Sequence, residues 1–363
     1  VRVLLSLGIV ATSIPAWAAS GTWNGTTDAL WSTTTNWSVT TSVPGATETA
    51  TFNNAGNART TIGLGSGVTI ATLLFDTANA AAYTIGSGGA GAQTLTLNDS
   101  GAVTMNATVV NNQRVDANVL LGTAITGTYT LTNNSLTNSL TFGGTIQGGT
   151  GGVAAAKTLT VTGAGNTTIS GAIGNGGSSA LALNKTGAGV LVLGSSNTFT
   201  GTTSVDRGTN GLASGIIRAT ANNVFSSTAA LNMLGGTVDL NGFSATVGSI
   251  FLGKDATTQS GNTNLITTGS GTLTLGGNVS MDTDNRAAGH IIAGNNTDLP
   301  SAGTRQVTSI TVSANVTGDA GVGITTSYSN STVAAAFTLS GNNTYTGTTS
   351  IGGGYLRAGS ATA

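Results

Sequence analysis

The chain has 363 residues, enough for a sizeable core, with 6% charged residues, a net charge of -1, 56 glycines, 3 prolines and no cysteine. This excludes a disulfide framework or a thiolate metal site, and 11 scattered Lys and Arg exclude a nucleic-acid partner, which needs clustered basic groups. A mean hydropathy of +0.21 with so little net charge excludes the disordered class.

Thr, Ser, Asn and Gly mixed with Val, Leu, Ile and Ala, with Glu48 the single Glu, predict an all-β fold whose exterior is wetted by hydroxyls and amides. In chain order, residues 1–19 read as a signal peptide: Arg2 as a thin positive region, Val3 to Val10 as the apolar run, and Ala16-Trp17-Ala18 as an A-x-A cleavage site. The run is too short to span a bilayer. Residues 20–48 hold Trp23, Trp31 and Trp37 and read as a cap that plugs the open end of a hydrophobic column, the alternative being an exposed stacking platform for a sugar ring. Pro44-Gly45 closes this segment with a turn.

From Thr49 to Ala363 short alternating runs are separated by Gly, Asn and Ser clusters. TIATLLFD (69–76), QTLTLND (93–99), TYTLTNN (128–134), KTLTVTG (157–163), GVLVLGS (189–195), GTLTLGG (271–277) and SITVSAN (309–315) each show the period of two that marks a strand. Tight hairpin signals are sparse, as at Asn24-Gly25 and Asn241-Gly242, which disfavours a sandwich. Strand, corner, strand at about twenty residues per circuit predicts a solenoid, in which each coil buries its inward face on neighbours about 4.8 Å away.

One phrase occurs twice. Leu193, Phe199, Gly201, Val205 and Gly208 in LGSSNTFTGTTSVDRG match Leu339, Tyr345, Gly347, Ile351 and Gly354 in LSGNNTYTGTTSIGGG. The first copy then carries seven extra residues before Ile217-Arg218-Ala219 resumes the match with Leu356-Arg357-Ala358. In a solenoid such an insertion bulges outward at a corner.

Lys185 to Gly208 and Phe337 to Gly359 resemble the autotransporter-associated β-strand repeat, or passenger-associated transport repeat, and Gly235 to Gly253 resembles the coil that commonly follows it. The resemblance implies a right-handed parallel β-helix passenger over residues 49–363, with repeat copies at 181–219 and 337–359, secreted or displayed on the cell surface and aided in export by its repeats. It implies no catalytic residue and no cofactor. It departs from the family in stopping at Ala363 without barrel strands, so a fragment lacking its C-terminal membrane anchor or translocator is expected, or a member exported by another route.

The best local candidate for chemistry is MDTDNR (281–286), where Asp282 and Asp284 on a strand would share a face, as paired glycosidase carboxyls roughly 5 to 9 Å apart require. A solvated turn is the simpler reading, because Ala287 stands where a calcium loop needs Gly. His290, the sole histidine, reads as structural, and GSGGAG (86–91) lacks the Lys of a phosphate loop and precedes a strand. The expected function is therefore a non-enzymatic scaffold or adhesin contacting glycans or neighbouring cell surfaces. A polysaccharide-active β-helix enzyme, or a glycan-binding module built on the tryptophans, is the alternative.

Overall fold

The computed structural model describes residues 19–122, 126–149, 156–177, 180–206, 215–253, 262–276, 279–281 and 287–293, and the segments 309–312, 316–318, 324–326, 336–339, 348–351 and 355–358. The expected signal peptide, but for its last residue Ala19, lies outside them, as do Asp282 and Asp284. Among the described residues the chain is almost entirely strand and turn, with two single-turn 3₁₀ helices at Thr34–Asn36 and Gly56–Ala58.

The strands build a parallel β-solenoid. One long sheet starts at Gly21–Thr22 and climbs through Thr49–Phe52, Val68–Phe75, Thr94–Met105, Gly127–Asn133, Lys157–Thr162, Leu181–Lys185, Thr203–Asp206 and Leu231–Leu234 to Thr349–Ile351. A second climbs beside it from Thr61–Ile62 through Gln113–Val115, Leu140–Phe142, Thr167–Ile169, Val190–Leu193 and Ile216–Ala219 to Tyr355–Ala358. A third, short sheet stacks Ala245–Val247, Leu273–Leu275 and Val316–Gly318. The pairing between consecutive coils is parallel, as in Leu131 on Val161 and Val161 on Lys185.

The coils are longer than the expected circuit of about twenty residues. Thr49 pairs with Thr72 and Thr130 with Thr160, steps of 23 and 30 residues, while the tightest coils, such as Leu183 to Thr203 and Leu231 to Ile250, take 20 and 19. In the longest coils the extra length holds a third strand. Between Leu140 and its partner Thr167 the chain runs through Leu140–Phe142, Ile146–Gln147 and Lys157–Thr162.

Alternation decides what is inside. In Lys157–Thr162 and Leu181–Lys185 every second side chain is buried, and stacking puts apolar on apolar: Leu131, Val161, Val205, Met233 and Leu252 fall in one ladder, interrupted by Lys185 between Val161 and Val205, and Ile62, Ile85, Val115, Phe142, Ile169 and Leu193 in another. Each large aliphatic so buried contributes roughly 1.5–3 kcal/mol. The outward residues between them are mostly Thr, Ser and Asn. Thr128, Thr130 and Thr132 lie on Thr158, Thr160 and Thr162.

At the N-terminal end the interior is aromatic. Trp23, Trp31 and Trp37 are at most 2% exposed and meet edge to face, with ring centroids 5.2 Å apart for Trp23 and Trp37 and 4.7 Å for Trp31 and Trp37. Phe52, on the first full coil, touches all three and passes the stack on to Phe75 and Tyr83. Each indole N–H reaches a backbone carbonyl: Trp23 that of Arg59, Trp31 that of Pro44, Trp37 that of Trp31. The rings are packed inside and form no exposed sugar platform.

Candidate functional site: the stacked repeat and its outer face

The first repeat occupies Leu181–Lys185 and Thr203–Asp206 on the long sheet and Val190–Leu193 and Ile216–Ala219 on the second. Leu193, Phe199 and Val205 are buried, at 1%, 0% and 0% exposure. Gly208 lies outside the described residues, as do Tyr345, Gly347 and Gly354 of the second copy. Leu339 ends the strand Ala336–Leu339 and Ile351 ends Thr349–Ile351.

Both copies sit in the same register. Leu193 pairs with Ala219 and Leu339 with Ala358, while Val205 and Ile351 lie on the long sheet. The steps, 26 and 19 residues, differ by the seven inserted in the first copy. The insertion is thus absorbed within one circuit without shifting the ladder.

Two residues explain why the phrase is written as Asn-Thr-Phe-Thr-Gly. Asn197 is 5% exposed, its side-chain oxygen accepts the Ile173 amide at 2.7 Å, and its Nδ2 donates to the Val224 carbonyl at 2.6 Å. It clamps the coil below to the coil above where the corner leaves the ladder, satisfying buried backbone groups that would each cost about 1–3 kcal/mol unpaired. Gly201 lies against the coil beneath: a Cβ there would sit 2.5 Å from the Leu181 carbonyl carbon and oxygen, and its amide donates to that oxygen at 3.0 Å. Only glycine admits so close an approach.

Two lysines lie inside the column. Lys185 is 1% exposed and occupies the ladder between Val161 and Val205, its Nζ donating to the carbonyls of Thr186 and Gly187 at 2.5 and 2.9 Å. Burial pulls its pKa down to about 8, because the charged form is the one that loses hydration. Lys157, fully buried, donates to three carbonyls, Leu121 at 2.5 Å, Gly122 at 2.8 Å and Gly148 at 2.6 Å, with its Nζ 5.9 Å from the Tyr129 ring centre. Desolvation lowers its pKa, and the nearby Asp99 carboxylate opposes that shift. Burial raises the phenols of Tyr83 and Tyr129 to about 12, with Asp99 adding to the shift at Tyr129.

These groups escaped the sequence reading because Lys and Asn in a Gly-rich phrase look like solvated corner residues. The signal was there. Stepping back by two from Val161 and Leu159 lands on Lys157, an inward position.

Among the described residues no three His, Asp or Glu side chains gather to hold a metal ion, and Asp28, Glu48, Asp76, Asp99, Asp116, Asp206 and Asp239 are strung along the chain. Asp28 is a local bracket of the N-terminal segment, held below the usual carboxylate range mainly by the Leu30 amide and also by Asn36 and Thr33. His290 sits in the strand Ala287–Ala293, paired with Asn264 below and Ile310 above. Two ion pairs mark the outer face of the second sheet: Arg114 to Asp116 at 2.6 Å and Arg218 to Asp239 at 2.9 Å.

The passenger-associated-transport-repeat family matches residues 183–209 and 334–358, the two copies placed in register above. The adhesin BmaC autotransporter of Brucella suis biovar 1 (strain 1330) is 37% identical over 154 residues, which is 38% of this chain and 4% of that protein. The chain therefore spans a small fraction of the length of the curated relative it matches. No solved structure matches it.

Proposed function

We propose that this chain, a passenger-associated transport repeat protein, belongs to an adhesin-like passenger displayed outside the cell, and that it works as a binding scaffold with no catalysis of its own. The observation that carries the reading is the shared register of the two repeats in one continuous column, because a stack of interchangeable coils is a way to make a long surface. That surface is hydroxyl-rich and nearly free of charge, suited to many weak contacts with glycans or with neighbouring cells.

The repeats have a second role in this reading. Coil stability is a sum of local and neighbour terms, so a folded coil templates the next, and each coil that closes outside the membrane opposes back-sliding of the chain. The N-terminal apolar run with its A-x-A site would deliver the chain to the secretory route.

Beads coated with the protein should adhere to cultured cells more than beads coated with an unrelated β-solenoid, and deletion of residues 338–357 in the full-length protein should slow secretion and raise protease sensitivity. Equal adhesion would overturn the scaffold reading, and unchanged secretion the export role.

A further inference from the structure

On the outer face of the second sheet, three coils and one protruding corner enclose a shallow groove of about 580 Å³. Its floor is made by the strands Ile216–Ala219, Thr237–Asp239 and Asn262–Thr267, and its wall by the turn at Asn241-Gly242 and by Ser270. Asn241 and Gly242 both have left-handed backbones, φ 51° and 86°, which turn the chain sharply while the Gly242 amide still donates to the Thr268 carbonyl of the next coil at 3.0 Å.

The polar groups in the groove are held in place before any ligand arrives. The Asp239 carboxylate accepts the Arg218 Nε–H at 2.9 Å on Oδ2, and the Asn241 amide at 2.9 Å and the Thr267 hydroxyl at 3.2 Å on Oδ1. Thr267, only 5% exposed, is the ladder partner of Asp239 on the next coil and holds the carboxylate from the side opposite Arg218. A carboxylate offers about four lone-pair sites and a guanidinium five N–H donors. Three acceptor sites and one donor are committed, which leaves an acceptor on Asp239 beside several donors on Arg218, whose side chain is 48% exposed.

We propose that this groove is a subsite for a neutral, hydroxyl-rich glycan, recognised through adjacent hydroxyls, one donating to Asp239 and one accepting from Arg218. The proposal rests on the adhesin reading and gives it a location. Charge selects the class: the guanidinium is already neutralised at 2.9 Å, so an anionic polymer finds no uncompensated positive charge. The lining has no aromatic ring, so affinity comes from hydrogen bonds, and held groups lose little freedom on binding. Three coils about 4.8 Å apart span about 10 Å, room for a short run of sugars.

The test titrates the whole chain with malto-, cello- and laminari-hexaose, and with heparin as an anionic arm, at several salt concentrations. At least one neutral hexasaccharide should bind at millimolar concentration, independent of salt. Arg218→Gln should weaken it about tenfold or more, as loss of hydrogen bonds from a charged donor does. Arg114→Gln, on the same face but remote from the groove, should bind as the native chain does, and unfolding midpoints of both variants check the fold. The proposal is overturned if no neutral hexasaccharide binds, if Arg218→Gln binds normally, or if heparin alone binds and salt abolishes it. Bead adhesion separates the two levels. Adhesion that persists in Arg218→Gln removes the groove and keeps the scaffold, whereas no adhesion by the native chain removes the scaffold whatever the groove binds.

Discussion

The side chain of Asn197 takes the amide of Ile173 from the coil below and gives its own N–H to the coil above, so a single buried amide in the repeat joins three turns of the solenoid. Its counterpart in sheet-based domains would be a backbone hydrogen bond. Here the corner lies outside the strands, and the side chain adds to the two backbone bonds made there, Asn197 N–H to the Asn223 carbonyl and Thr198 N–H to the Ile173 carbonyl.

Asn197→Leu should therefore be worse than its modest change in volume implies. It leaves the Ile173 N–H and the Val224 C=O buried and unpaired, a loss of about 3 kcal/mol. Chemical denaturation checks this, and a variant as stable as the native chain would show that the clamp carries no energy.

Gly201→Ala adds one methyl group, but places it 2.5 Å from backbone atoms of Leu181, which cannot swing aside as a side-chain tip can. The expected cost is about 1–3 kcal/mol, with faster proteolysis near Leu181. Gly194→Ala, whose new Cβ would come no closer than 3.2 Å to its neighbour, should cost less.

The buried lysines and tyrosines give stability a definite dependence on pH. Lys185 has a folded pKa of about 8 against 10.5 for its ordinary value, so between those values the unfolded chain binds more protons and stability rises with pH. Lys157 acts in the same direction. Tyr83 and Tyr129, raised from 10.0 to about 12, hold their protons when folded, so their contribution is complete below pH 10 and lost as pH climbs toward 12. Urea unfolding should show stability increasing above pH 8 to a maximum near pH 10. Lys185→Met should flatten the rising limb.

The tryptophans offer an optical check. With Trp23, Trp31 and Trp37 at most 2% exposed, their emission should be blue-shifted and resistant to acrylamide, and no oligosaccharide should quench it. Trp37→Ala removes a ring that contacts Trp23, Trp31 and Phe52 and should cost about 3–5 kcal/mol.

The fold was legible because alternation is a strong signal when corners are marked. TYTLTNN and KTLTVTG, read as strands, became the stacked pair Gly127–Asn133 and Lys157–Thr162. Coil length was not, since two-residue strands such as Ile146–Gln147 are too short to show a period and their residues read as corner. The repeat positions Leu193, Phe199 and Val205 were visible as apolar matches. Asn197, Lys157 and Lys185 were not weighed as interior, because hydropathy assigns them to water and only the carbonyls gathered by folding make burial tolerable. The Arg218–Asp239 groove was invisible for a different reason: its partners are 21 residues apart and meet only once the coils are stacked.

The parallel register itself can be measured directly, since the chain has no cysteine to interfere. Ladder partners about 4.8 Å apart are within reach of a disulfide, whose Cα atoms lie roughly 4.4–6.8 Å apart. Oxidation should close Thr141→Cys with Thr168→Cys, Val192→Cys with Arg218→Cys, and Thr338→Cys with Arg357→Cys. The mixed pair Val192→Cys with Arg357→Cys should stay reduced. Rapid, high-yield bridges in all three partnered pairs are what a continuous column with both repeats in one register predicts. Failure of these pairs, or an equally fast bridge in the mixed pair, would contradict it.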